Sequence, residues 1–181
     1  MNTFISMLRG INVSGQKKIS MNELRDLYET LNLTNVQTYV QSGNVVFDSA
    51  ERNASVLVRQ IEEQIEQTFG YSVPVLLRTS DDFRRVTSSN PFLGDRNEDP
   101  AKLYVTFLYE PLADPQLSNL KAPDGIKDKF AIGEQEIFLF CPDGYGRTKL
   151  NNNFFEQKLK VTATTRNWKT VNALFGMADG R

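Results

Sequence analysis

Val36-Gln37-Thr38-Tyr39-Val40-Gln41-Ser42-Gly43-Asn44-Val45-Val46-Phe47 is the stretch on which the fold turns. Val36–Val40 and Val45–Phe47 are rich in β-branched and aromatic residues. Gln41-Ser42-Gly43-Asn44 between them is turn chemistry, with Gly43 able to take positive φ. Two antiparallel strands are expected here, and both flanks read as helix. Upstream, Ser20-x-x-Glu23 is a capping box: the serine oxygen accepts from a helix N–H and the glutamate reaches back. Leu24, Leu27, Tyr28 and Leu31 then follow at i, i+3, i+4 and i+7, the mark of one buried face, and Asn32 is the expected stop. Downstream, Val58, Ile61, Ile65 and Phe69 share a helical face that ends at Gly70. Phe4–Leu8 and Val73–Leu77 supply the outer strands. The order is βαββαβ, the ferredoxin-like split unit, with sheet order 4-1-3-2. Pro74 has no N–H for a ladder, so its strand belongs at an edge, where that order independently puts strand four.

Beyond residue 79 the pattern is less regular. Ser80-Asp81-Asp82 opens a helix with acids in its first turn, and Asn90-Pro91 bounds it. Leu103–Tyr109 reads as a strand. Phe130–Ile132 and Glu136–Phe140 form a hairpin across Gly133-Glu134. Helices are expected around Asn152–Lys160 and Arg166–Phe175, the latter with Trp168, Val171, Leu174 and Phe175 on one face. The fold class is therefore α+β: a ferredoxin-like half over 1–79 packed against a second, less regular α/β half over 80–181. A degenerate second ferredoxin-like unit is compatible with that half. Strand one is apolar on both faces, Phe4 and Leu8 against Ile5 and Met7, and helices cover only one. The second half, rather than another subunit, is the expected cover for the other.

Composition narrows the function classes. The 181 residues suffice for one large or two small domains, and 40% hydrophobic with 24% charged is an ordinary globular balance. No apolar run approaches the roughly 20 residues of a membrane helix. The start Met1-Asn2-Thr3-Phe4 lacks signal-peptide chemistry, and one cysteine, Cys141, allows no internal disulfide, so a cytoplasmic setting is expected. A net charge of −1 disfavours a strongly basic nucleic-acid binder. The chain has no histidine, which excludes Ser-His-Asp and Cys-His catalysis and any histidine-ligated metal. No cofactor and no metal are expected.

Five segments in register carry a resemblance. They are Leu8-Arg9-Gly10-Ile11-Asn12-Val13-Ser14-Gly15, Tyr39-Val40-Gln41-Ser42-Gly43-Asn44-Val45-Val46-Phe47, Asn90-Pro91-Phe92, Gly144-Tyr145-Gly146-Arg147-Thr148-Lys149-Leu150 and Ala163-Thr164-Thr165-Arg166-Asn167-Trp168. Together they resemble the bacterial family named domain of unknown function 1697, with Ser14 where a glycine is common. The resemblance implies a bacterial, cytoplasmic α/β protein of ferredoxin-like character. It implies no activity, substrate or catalytic residue.

Candidate site residues come from topology instead. In a 4-1-3-2 sheet, the end of strand one and the turn between strands two and three share a rim. Arg9-Gly10-Ile11-Asn12 and Gln41-Ser42-Gly43-Asn44 fall there, with the helix start near Ser20 and the cations Lys17 and Lys18. Arg9, Asn12, Gln41, Ser42 and Asn44 are therefore candidate contacts for a small anionic ligand, with Arg9 able to grip phosphate or carboxylate bidentately. The plainer reading is that the amides and the hydroxyl are turn residues bonding their own backbone. Arg147 and Lys149, between the glycines 144 and 146 and a helix, are a second candidate, with a basic surface turn as the plainer reading. Arg166 and Asn167 would join them if the fold brought them together. Cys141 reads as an inert buried thiol, and Glu62, Glu63 and Glu66 as a solvated face.

Four readings of function follow. A binding module for a small anionic ligand comes first. An RNA binder would stack bases on Phe4 and Phe47, although the basic, aromatic motif of such modules is absent. A histidine-free enzyme on a phosphate-bearing substrate would use Tyr145, Lys149 or Arg9. A structural or oligomerising protein would use the second apolar face of strand one. No membrane partner is expected.

Overall fold

The structure, a computed structural model, describes residues 1–118 and 120–180. It is α+β, with two four-stranded antiparallel sheets. The chain divides into two compact units, Met1–Arg85 with Ala173–Arg181, and Val86–Asn172.

The first unit holds β1 (Asn2–Leu8), α1 (Met21–Thr30), β2 (Thr34–Tyr39), β3 (Asn44–Ser49), α2 (Ala54–Phe69) and β4 (Val75–Thr79), followed by α3 (Ser80–Ser88). The sheet order is β2-β3-β1-β4, as the pattern predicts. The local signals work as read. Ser20 and Glu23 form the capping box of α1, and Gly70 closes α2 in the left-handed conformation. Pro74 stands one residue before β4, and its carbonyl accepts from the Arg9 N–H at 3.0 Å.

Along β1, Phe4, Ser6 and Leu8 face the two helices. Phe4 and Leu8 share a core with Leu24, Leu27 and Tyr28 of α1, and Leu57, Ile61 and Ile65 of α2. Ser6 is tolerated there because its hydroxyl bonds the Tyr28 hydroxyl at 2.8 Å. Phe4 and Phe47 stack in that core with centroids 5.8 Å apart, and both are buried. This corrects the expectation that they could stack bases: period-two alternation aims them at the helices, not at solvent. Ile5 and Met7, on the opposite face, are fully buried within the single chain.

The second unit repeats the order: β5 (Leu103–Leu108), α4 (Asp114–Ser118), β6 (Lys129–Ile132), β7 (Glu136–Phe140), α5 (Asn152–Leu159) and β8 (Ala163–Asn167); α6 (Trp168–Ala178) follows, and from Ala173 on it belongs to the first unit. Its sheet order, β6-β7-β5-β8, is the same arrangement. Its core gathers Leu108, Ile137 and Leu139 beneath Phe155 and Leu159 of α5. One expectation is corrected here. Ala163–Asn167 is an edge strand paired with β5 from Tyr104↔Asn167 to Leu108↔Ala163, so the last helix begins at Trp168, not Arg166. The Asn167 side chain accepts from the Thr170 N–H at 2.7 Å and caps that helix. The short α4 carries no apolar periodicity that would announce it.

The two units share devices at matching positions. The first N–H of β4, on Val75, donates to Glu62 of α2 at 2.8 Å. The first N–H of β8, on Ala163, donates to Glu156 of α5 at 3.0 Å. Each is an edge strand, and each glutamate satisfies a donor that would otherwise face outward. Glu62 is thus half-buried and engaged, unlike the solvated face expected of it. Among the described residues, no helix is long and apolar enough to cross a membrane.

Candidate functional site

The rim of the first unit is built by three segments. The Leu8 N–H donates to the Gly43 carbonyl at 2.8 Å, which brings the end of β1 against the β2–β3 turn. Gly43 must be glycine: its φ is +79°, and a Cβ there would sit 2.6 Å from Ile11 Cδ1. Residues 12–17 fold into a small hairpin of their own. The Asn12 N–H donates to the Lys17 carbonyl and the Gln16 N–H to the Val13 carbonyl. Ser14 and Gly15 between them both have positive φ, 51° and 76°, as a two-residue type I′ turn requires.

Asn12 holds these parts together. Its amide nitrogen donates to the Ile19 carbonyl at 2.9 Å and to the Gln41 carbonyl at 2.8 Å. Its oxygen accepts from the Ile19 N–H at 2.9 Å. Lys17 ties the hairpin to the segment before β4 through the Ser72 carbonyl at 2.7 Å. Asn44 is fully buried and donates to the Tyr39 carbonyl at 2.9 Å and to the Ser42 hydroxyl at 3.0 Å. So the chain does bring Arg9, Asn12, Gln41, Ser42 and Asn44 to one rim. The amides of Asn12 and Asn44 serve its framework. Arg9 is half-buried, and Gln41 and Lys18 are exposed.

The second candidate lies in the other unit. Arg147 and Lys149 are exposed on the segment between β7 and α5. Thr148 between them is buried, donating to Asp128 at 2.7 Å and accepting from the Leu150 N–H at 3.0 Å. The N–H groups of Gly144, Arg147 and Thr148 already donate to the Cys141, Gly144 and Tyr145 carbonyls. Arg166 does not join this exposed pair. It is buried and donates to the Thr164 hydroxyl at 2.9 Å and the Thr165 carbonyl at 3.0 Å. Burial pushes its guanidinium down to about 10, against the pull of the Tyr109 and Tyr145 phenols, which leaves it charged at neutral pH. Burial likewise raises the Tyr145 phenol and pushes the Cys141 thiol up to about 11. Neither is activated for chemistry near neutrality. Among the described residues, no cluster of cysteine, aspartate and glutamate could hold a metal ion.

The family described as "Protein of unknown function (DUF1697)" matches residues 1–138. The chain belongs to the DUF1697 family. A solved structure described as that of conserved bacterial protein SP0830 from Streptococcus pneumoniae is similar to it. The identity is 25%, the TM-score 0.75, and the match covers 98% of each chain. No curated protein matches this DUF1697 chain. Two features of its rim escape sequence reading. The 12–17 hairpin does have a signal, since Ser14-Gly15 is a turn dipeptide. The exposure of Val13 and Val40 has none, because both residue types belong by propensity to buried strands.

Proposed function

We propose that the first unit binds a small anionic ligand, bearing phosphate or carboxylate, on the rim between the end of β1, the 12–17 hairpin and the β2–β3 turn. The observation that carries the reading is the Asn12 clamp, which joins the hairpin to the turn through Gln41 and to the start of α1 through Ile19. On that framework, Arg9, Lys18 and Gln41 are the groups offered to the ligand, while Asn12, Ser42 and Asn44 position them. A planar guanidinium beside a point charge and an amide suits an oxyanion.

The second unit supports the reading by contrast. Its Leu108 N–H donates to Gln135 as that of Leu8 does to Gly43, and its Tyr109 N–H to Thr162 as that of Arg9 does to Pro74. Tyr109 thus stands where Arg9 stands, and the neighbouring segments carry Glu110 and Glu134 rather than lysine. The cations of the first rim are not a requirement of the fold.

The test is thermal denaturation with inorganic phosphate, sugar phosphates and dicarboxylates. A ligand at a hundred times its dissociation constant adds about 2.7 kcal/mol. Arg9→Ala should abolish the shift while the unliganded protein stays folded, and Arg147→Ala should leave it intact. A panel that shifts nothing, or an Arg9→Ala variant that responds like wild type, refutes the reading.

A further inference from the structure

We infer that the anion taken at this rim carries a flat apolar ring, as a nucleoside monophosphate or an aryl phosphate does. The inference rests on the anion-binding reading above and names the ligand class. The large apolar side chains most exposed among the described residues are Met1, Val13, Val40 and Ile132. Two of these stand on the rim: Val13 is 59% exposed and Val40 47%. Each is the neighbour of one end of the 2.8 Å Asn12–Gln41 hydrogen bond, so the two valines occupy adjoining loops beside the strand end that bears Arg9.

Val40 is also held at φ 51°, in the left-handed region. Asparagine, aspartate and glycine enter that region readily; a β-branched side chain is the least suited to it. Valine there weakens the free protein through its backbone and gains nothing back by burial, since its side chain stays in the solvent. Such a residue is accounted for when its side chain packs on something the free chain lacks. A flat ring can rest on two small aliphatic groups from separate loops without a deep pocket, whereas an alkyl chain needs a groove along its length. The Arg9 guanidinium can stack on a ring face or grip the phosphate, and Lys18 adds charge at the same rim.

The experiment is isothermal titration of wild type, Arg9→Ala, Val13→Ser and Val40→Asn with inorganic phosphate, ribose 5-phosphate, adenosine monophosphate and phenyl phosphate. The ring-bearing esters should bind about tenfold or more tightly than ribose 5-phosphate, the ratio expected from covering one valine side chain. Val13→Ser and Val40→Asn should each erase most of that advantage without changing affinity for inorganic phosphate. Val40→Asn should at the same time melt no lower than wild type, because asparagine tolerates the backbone, so its loss of binding is not unfolding. If phosphate and ribose 5-phosphate bind through Arg9 but a ring adds nothing, or the valine variants keep the advantage, the ring is refuted and the anion site stands. If ring-bearing esters bind Arg9→Ala as well as wild type, the inference is refuted because they bind elsewhere. If no anion binds wild type, both readings fall.

Discussion

Removing the Asn12 side chain should unfasten the rim. Three hydrogen bonds converge on it: two donated to the Ile19 and Gln41 carbonyls and one accepted from the Ile19 N–H. A partly buried bond contributes about 1 kcal/mol. The bond to Gln41 is exposed and counts for less, so the side chain as a whole is worth about 2 kcal/mol. Asn12 also sits at φ 54°, where a Cβ without a local hydrogen bond costs about 1 kcal/mol more. Asn12→Gly should therefore lose about 2 kcal/mol and Asn12→Ala about 3 kcal/mol. Asn12→Asp keeps the acceptor for the Ile19 N–H and loses both donors, so it separates the two halves of the clamp. Urea denaturation measures these losses as shifts of midpoint at constant slope, and amide exchange at Ile19 reports the local opening. A loss under about 1 kcal/mol for Asn12→Ala would show that the hairpin and the turn hold their places without the clamp. Equal losses for glycine and alanine would refute the backbone part of the argument.

Gly43→Ala should cost about 3 kcal/mol in the same assay, because the new Cβ meets Ile11 Cδ1 at 2.6 Å and Leu8 Cβ at 3.0 Å in a left-handed backbone. Gly10→Ala, with equally positive φ but nothing within 4 Å, should lose only the backbone part, about 1 kcal/mol. Glu62→Ala and Glu156→Ala should each cost about 1 kcal/mol and speed amide exchange at Val75 and Ala163 respectively; unchanged exchange would mean the edge donors find other partners. Cys141 should resist thiol reagents at pH 8 in the native state and react in denaturant. Burial holds its folded value near 11 against an ordinary 9.0, so its contribution to stability is whole below pH 9 and is lost as pH rises toward 11. A flat urea midpoint across that range, unchanged in Cys141→Ala, would contradict this.

What was legible in the sequence is what short-range chemistry decides. The capping box at Ser20, the left-handed stop at Gly70 and the alternation of β1 each need only a few neighbouring residues. β8 was not legible, because Ala163-Thr164-Thr165-Arg166-Asn167 has almost no apolar pattern and owes its strand form to pairing with β5. Val40 has strand propensity, yet β2 ends at Tyr39 and Val40 turns out of the sheet. Glu62 sits in an acidic helix face, and only the fold brings the Val75 N–H within its reach. At the rim, topology alone placed Arg9 and Gln41 together. The division of labour among the amides was not legible, since the partners of Asn12 lie seven and twenty-nine positions away along the chain.

The two units also supply a comparison internal to the chain. Features present in both answer to the fold. Arg78 pairs with Ile5 as Arg166 pairs with Val105, and each buried guanidinium donates to the carbonyl of the residue before it, Leu77 or Thr165. Thr79 and Asn167 follow these arginines, and each caps the next helix by accepting from an N–H three residues on. Asn44 and Glu136, the first residues of β3 and β7, are both buried and both bond within their own turn. Such shared features would persist in a protein that bound nothing. What differs in the first unit is of another kind: Arg9 where Tyr109 stands, the 12–17 hairpin, the Asn12 clamp, and Val40 in a left-handed backbone it does not favour. Each adds cost or complexity to a unit whose counterpart folds without it. These extras fall on a single rim instead of being scattered over the unit, and that rim is the one on which the proposed ligand would rest.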